Sequence, residues 1–514
     1  MGSEISVGED MVFNSYIFIL LFLPLAVIGY FLLNKYCYRK NGNAGLAWLL
    51  GVSLVFYAYD IPIFLLLFVG SILVNYILGR SLTYLKHQVE DNHKLQKTVL
   101  ILGIVFNLAP LAYFKYGDFF VDSIEDFFHA EWNVEVALPL GISFFTFLQI
   151  AYIVDCYREE KGFDYTFLEY ATYVAFFPKI TMGPIVLHSE VIPTLRNEEK
   201  KQVDYNNLSC GFYMFALGLA KKVLLADTLA KFVSIGYKEV YWMNAMTTVV
   251  VMLCYTLQLY FDFSGYCDMA VGIAKMFNID LPYNFNSPYK AKSISEFWDR
   301  WHMTLTRFFT RYVYIPLGGS RRGKLRTYAN TIIVFLLSGL WHGADWTFVF
   351  WGLMHGILMT IEKIGKDIGL GFKRLSGIPR KALDGVKWLV TFVIINITWV
   401  FFRAESMEVA FIFFERIASG GWKCQEYITD IFNELIEIRI LKRFGLEGLL
   451  NASVDASIWG MLILLILGVV FLKNTQEKMM SEKYNWIRSI FTVVLIVWCV
   501  ISLSDVSEFL YFNF

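Results

Sequence analysis

The sequence predicts an all-α, polytopic integral membrane protein, and three observations carry that expectation. Hydrophobic residues make up 57% of the 514, aromatic ones 18% and charged ones only 18%, whereas a soluble domain carries about a quarter charged residues. Apolar runs close to bilayer length recur along the whole chain. The charged residues gather between those runs and sort by sign. Lys plus Arg and Asp plus Glu number 45 each, so no net field argues for a nucleic acid or an acidic partner.

The first run, 16–33, follows Glu4, Glu9 and Asp10 rather than a basic stretch. No small-residue cleavage site comes after it, so it reads as a retained first helix and not a signal peptide. Further runs lie at 46–58, 61–79, 98–114, 137–155, 168–186, 209–226, 246–273, 329–345, 346–362, 386–403, 458–473 and 487–504. A span needs about 20 apolar residues. The shorter runs read as tilted, re-entrant or broken helices, which are tolerated only where protein or water covers the backbone. The expectation is about eleven spans, plus re-entrant and interfacial pieces. No repeat, low-complexity tract or Gly/Ser linker divides the chain. It reads as one domain, 1–514, with a motif-bearing core at 138–356 and C-terminal spans within 386–514.

Charge sets the orientation. Lys35, Arg39 and Lys40 follow the first run, and Arg80, Lys86, Lys94 and Lys97 mark 80–97 as cytoplasmic. The stretch 117–136 holds six acidic residues and no Lys or Arg, so it reads as an external loop with His129 a solvated residue. These signs place the N-terminus outside the cell membrane. Seven cysteines, at 37, 156, 210, 254, 267, 424 and 499, are scattered singly. That pattern argues against a disulfide framework and against a zinc site, so no metal is expected.

The stretch 284–327 differs in kind. It is rich in Trp, Tyr and Phe and carries Arg300, Arg307, Arg311, Arg321, Arg322, Lys324 and Arg326. It reads as amphipathic helices in the cytoplasmic interface with a turn at Pro316-Leu317-Gly318-Gly319. Beside it stand two histidines, His302 in Trp298-Asp299-Arg300-Trp301-His302 and His342 in Trp341-His342-Gly343-Ala344-Asp345-Trp346. An ionisable residue at membrane depth is a functional-site hypothesis by default.

The order of several blocks resembles the membrane-bound O-acyltransferase family. They are Leu138 to Phe147, Phe176 to Pro184, Gly218 to Val223, Leu257 to Gly272, Asn284 to Tyr289, Ser293 to His302, Tyr312 to Arg322 and Leu340 to Gly356. Within the family, the chain is most similar to the branch that O-acetylates alginate, peptidoglycan and other exopolysaccharides. The resemblance implies a helical fold around a funnel, with His342 as the essential histidine and His302 on the same pathway. It also implies an acyl group that enters from a cytoplasmic thioester, acetyl-coenzyme A or an acyl carrier protein, and leaves outward. A secreted or membrane-anchored SGNH-type transferase would complete delivery to the polysaccharide. No bound cofactor is implied.

Imidazole suits this chemistry because its unperturbed pKa is about 6.5. Desolvation would keep His342 neutral, ready as general base or transient nucleophile, and the residues do not choose between them. The structural alternative is a buried histidine making one hydrogen bond. His302 would position the thioester or carbonyl; its alternative is a helix cap. His355, thirteen residues after His342, is about 3.6 turns away and off its face, so a packing role is expected. Asp262, Tyr266 and Asp268 lie in one apolar run, with Asp299, Arg300, Trp301 and Trp341 beside the histidines. The carboxylates read as funnel-wall ion pairs, with basic residues near 300–311 as partners. Arg321, Arg322 and Lys324 would meet donor phosphates, or would only obey the positive-inside rule, and Lys221 and Lys222 share that ambiguity. The runner-up activity is D-alanyl transfer to teichoic acid; a proton-relaying transporter lacks the expected internal repeats. The stretch 420–455 reads as an amphipathic surface helix or a partner-docking site.

Overall fold

The computed structural model describes residues 11–37, 42–59, 62–88, 92–128, 137–368, 379–481, 485–503 and 510. Glu4, Glu9, Asp10, Arg39, Lys40 and His129 lie outside the described residues. Among those described, every regular element is a helix. The main ones are α1 (Phe18–Cys37), α2 (Ala44–Ala58), α3 (Phe64–Lys86), α4 (His93–Phe128) and α5 (Ile142–Arg158). Then come α6 (Tyr205–Lys238), α7 (Ala245–Met276), α8 (Met303–Phe309), α9 (Lys324–His342) and α10 (Trp346–Asp367). The chain finishes with α11 (Arg380–Arg403), α12 (Val454–Phe471) and α13 (Trp486–Ser502). Seven are long and apolar enough to cross a bilayer, namely α1, α3, α4 over His93–Gly117, α6, α7, α11 and α12; α2 and α13 are shorter apolar helices.

Two sequence expectations change. The acidic stretch after 117 is not a loop over its first part, because α4 continues to Phe128. The run 168–186 is not one helix. A Thr166–Glu169 capping box starts Phe167–Ala175, the chain leaves helical geometry at Phe176 (φ −49, ψ 105), and only Phe177–Ile180 follows. Pro178 and Pro184 lack the N–H that a continuous helix requires.

By contacts the described residues form two compact units interleaved along the chain. One comprises Met1–Ala220, Tyr266–Tyr283 and Glu482–Asn513; the other comprises Lys221–Gly265 and Asn284–Ser481. The first unit ties its apolar helices with amides. Asn75 on α3 and Asn107 on α4 exchange hydrogen bonds at 3.0 and 2.6 Å, and Gln149 on α5 donates to Ser71 at 3.1 Å. Among apolar helices, such polar contacts replace the absent hydrophobic drive for association. The turn before α5 depends on Gly141, whose φ is +65 and whose added Cβ would lie 2.3 Å from the Ile180 carbonyl oxygen.

The second unit is built on the antiparallel pair α9 and α10. Glycines allow the two backbones to approach: a Cβ added at either Gly339 or Gly352 would lie 3.1 Å from the Cα of the other. The stretch 420–455 forms short helices at Glu426–Glu434, Ile436–Leu441 and Glu447–Ala452 rather than one amphipathic helix. Gly445, with φ 88, breaks the run between the last two. The turn expected near Pro316 is present, with Gly318 and Gly319 both at positive φ.

Gly339→Leu is expected to destabilise the protein by about 1–3 kcal/mol through overpacking, because its Cβ alone would lie 2.3 Å from the Phe348 carbonyl oxygen. Thermal unfolding in detergent measures this; an unchanged midpoint would contradict the close helix approach.

Candidate active site

His342 is the last residue of α9 and is 2% exposed. Gly343 is extended (φ −159, ψ 149) and ends the helix, and Asp345 restarts the chain by capping α10, accepting from the Thr347 N–H at 2.8 Å. The imidazole is therefore fixed at the break between two helices. Its Nδ1 lies 2.6 Å from the Ser338 carbonyl oxygen. A carbonyl only accepts, so Nδ1 carries the hydrogen and, in the neutral ring, Nε2 holds the lone pair. Trp341, Trp351 and Phe402 surround the ring at centroid separations of 4.8, 5.1 and 5.4 Å. Such a low-dielectric shell penalises a charged imidazole.

His302 is fully buried and precedes α8 in a left-handed conformation (φ 44, ψ 49). A non-glycine residue there is uncommon and points to a local constraint. Asn284 supplies it. Its Oδ1 accepts from His302 Nδ1 at 3.1 Å, from the Thr304 N–H at 3.2 Å and from Thr304 Oγ1 at 2.9 Å, and its main-chain carbonyl accepts from the Met303 N–H at 3.0 Å. Nδ1 is again the donor, so Nε2 is again the basic atom. The ring centroids of His302 and His342 are 6.3 Å apart.

His355 has the opposite tautomer. Its Nδ1 accepts from Trp298 Nε1 at 3.2 Å, so Nε2 carries the hydrogen and donates to Thr398 Oγ1 at 3.1 Å, which in turn donates to the Ile395 carbonyl. Both ring nitrogens are engaged, which fits the packing role expected from its spacing.

A cavity of about 190 Å³ lies in the same unit, bounded by Trp298, Thr306, Phe335, Ser338 and Lys363. One wall is thus the residue whose carbonyl orients His342. Lys363 Nζ donates to Thr331 Oγ1 at 2.7 Å. Asp299, exposed after the helix Ile294–Trp298, also borders this cavity.

The remaining sequence-selected residues divide. Trp341 and Trp301 are buried, and Trp301 stacks on Phe297 at 5.5 Å and lies 5.0 Å from Trp399. Arg300 pairs with Glu296 at 3.0 Å and donates to the Asn286 carbonyl at 3.0 Å, which braces the turn before His302. Asp262 forms a buried ion pair with Lys222 at 2.8 Å, and Lys222 also meets Asp227 at 3.0 Å. The expected partners near 300–311 are thus replaced in this pair by a lysine of α6. Lys222 belongs to a π-helical turn, Lys221–Ala226, a distortion frequent at functional sites. Tyr266 and Asp268 belong to the other unit, where Tyr266 hydrogen-bonds Thr181 and stacks on Phe13 at 4.8 Å. Arg321 and Arg322 are exposed in the turn after Gly319.

Sequence reasoning did not single out Asn284, Ser338 or His188. Asn284 had a signal, since it opens one of the ordered blocks. Ser338 acts through its backbone and has none. His188, fully buried in the first unit, has Nδ1 3.0 Å from the Tyr165 hydroxyl and Nε2 3.4 Å from Asp155.

Comparison with known proteins gives this all-helical chain with apolar spans a family. The chain belongs to the membrane-bound O-acyltransferase family, whose profile matches residues 50–402. It is a multi-pass membrane acyltransferase and acts with an acyl donor. Among characterised relatives, it is 37% identical to a peptidoglycan O-acetyltransferase of Helicobacter pylori over 98% of both chains. It is 38% identical to a probable alginate O-acetylase of Pseudomonas aeruginosa, covering 81% of this chain and 76% of that one. A teichoic acid D-alanyltransferase of Bacillus subtilis is more distant, at 28% identity over 43% of this chain and 58% of the other.

Asn284→Leu should lower stability by about 1–3 kcal/mol by stranding buried donors and should reduce acyl transfer, whereas Asn284→Asp, which keeps an acceptor oxygen, should retain more of both. Paired thermal-unfolding and turnover measurements check this; equal behaviour of the two variants would contradict the bracing role.

Proposed function

We propose that the protein transfers acetyl groups from a cytoplasmic thioester, acetyl-coenzyme A or an acetylated carrier, toward a hydroxyl of a cell-wall or extracellular polysaccharide. His342 is the general base. Its Nε2 takes the proton of the acceptor hydroxyl as that oxygen attacks the thioester carbonyl, and the proton then passes to the departing thiolate. The observation that carries this reading is the 2.6 Å hydrogen bond from Nδ1 to the Ser338 carbonyl, which leaves Nε2 as the basic atom. His302 positions the acyl carbonyl beside it.

The cavity bounded by Thr306, Phe335 and Ser338 receives the thioester end of the donor in this reading. The full-length similarity to a peptidoglycan O-acetyltransferase favours a cell-wall glycan as final acceptor over teichoic acid. The protein lies in the cytoplasmic membrane with its N-terminus outside, and an exported SGNH-type transferase completes delivery. Asp262, Arg300, Trp301 and Trp341 shape and hold the unit that carries the two histidines, Tyr266 and Asp268 support the other unit, Asp299 lies at the donor cavity, and Arg321 and Arg322 meet the donor's phosphates from the cytoplasmic turn.

In proteoliposomes supplied with acetyl-coenzyme A and a hydroxyl acceptor, His342→Ala should lower turnover by about 10²–10⁴-fold, the usual reach of general base catalysis. His302→Gln should lower it less. Thr306→Trp, which fills the cavity, should raise KM for the donor with little change in kcat. Undiminished turnover by His342→Ala sinks the assignment. An acetylated imidazole trapped without acceptor would replace the base by a nucleophile, and turnover with D-alanyl carrier alone would replace the acetyl donor.

A further inference from the structure

A second cavity, of about 790 Å³, lies in the same unit as the histidines but is lined by other residues. Its walls come from the α6 turn Leu224–Leu229, from Phe432, Ile438 and Leu441 of the short helices, and from α12. The α12 wall starts with the small residues Ala456, Ser457 and Gly460, which leave a slot beside the helix, and continues with Met461, Leu464 and Leu465.

Two observations say what such a slot holds. The first is continuity with the bilayer-facing surface. Only 11% of the apolar window of α12 is buried, and Leu464, which lines the cavity, is 71% exposed. The slot therefore opens where lipid chains run. The second is size. A helix about 10 Å across with a 1.5 Å rise fills roughly 120 Å³ per residue, so the cavity is too small for two turns of a partner's span. A methylene needs about the volume of a water, roughly 30 Å³, so a chain of about sixteen carbons fits with space remaining. The helical stretch that contributes Glu437, Ile438 and Leu441 to the wall also carries exposed Arg439 and Arg443, which outweigh that carboxylate, with Phe444 81% exposed beside them. A basic amphipathic stretch of this kind lies in the headgroup layer.

We propose that this cavity is a lipid site, holding an acyl chain of a bilayer phospholipid between α6, α12 and the short helices, with its phosphate near Arg439 and Arg443. The bound chain fills space that the small α12 residues leave open. It holds the 426–452 stretch against the span.

The test uses the full-length protein in phosphatidylethanolamine and phosphatidylglycerol vesicles containing a phospholipid with a photoreactive group in its acyl chain. Peptides carrying 224–229, 432–441 and 456–465 should take at least fivefold more label than the exposed face of α11. Ala456→Trp and Gly460→Trp, which fill the slot, should lose that excess, while Ile463→Trp, on the same helix outside the cavity, should keep it. Uniform labelling of all bilayer-facing helices in the unmodified protein overturns the proposal even if the tryptophan variants fail to fold. Retention of the excess by folded Ala456→Trp also overturns it.

Discussion

The hydrogen bond between His342 Nδ1 and the Ser338 carbonyl decides what the site is able to do. A free imidazole samples two tautomers and many orientations. Here a main-chain acceptor one helical turn earlier selects one tautomer and one direction for Nε2. Because the acceptor belongs to the backbone of α9, the ring's orientation is as rigid as the helix. The helix end at Gly343 and the cap at Asp345 fix where that ring is presented.

The surroundings serve that bond. Trp351 stacks on Trp399 at 5.8 Å and lies 5.1 Å from His342, so an aromatic wall excludes water from the imidazole. Gly339 and Gly352 bring α9 and α10 into backbone contact, which sets the height of His342 relative to Trp351. His355 closes the far side of the wall through Trp298 and Thr398. Three imidazoles in one unit thus differ in their hydrogen-bond partners: two have Nδ1 as donor, and in His355 Nδ1 accepts.

Much of this was legible in the sequence, for physical reasons that can be named. Helix class follows from apolar runs between charged stretches, and the histidines stand out because membrane interiors rarely hold ionisable groups. The packing role of His355 is met for a reason other than helical spacing, since α9 ends at His342 and His355 stands on α10 with both ring nitrogens hydrogen-bonded. Other features are hidden. Nothing in the side chain of Ser338 announces a carbonyl contact. The break at Phe176 follows from prolines inside an apolar run, where hydropathy alone suggests continuity. The continuation of α4 to Phe128 is concealed because acidic residues suggest a loop, although they are compatible with helix. Lys222 looks like a topology signal in the sequence and is instead buried against Asp262, since sequence distance conceals partners forty residues apart.

That ion pair has a consequence for how the protein reaches the membrane. A lysine or an aspartate at the centre of an isolated helix opposes insertion by about 2.5–3.5 kcal/mol, so α6 carrying Lys222 and α7 carrying Asp262 are each poorer substrates for the translocon than their hydropathy suggests. Lys222 also meets Asp227 on α6 itself, so it is chiefly Asp262 of α7 whose charge is offset only when the two helices are together. The pair therefore favours a biogenesis order in which α6 waits at the lateral gate until α7 has been synthesised, and the two partition into lipid as a hairpin.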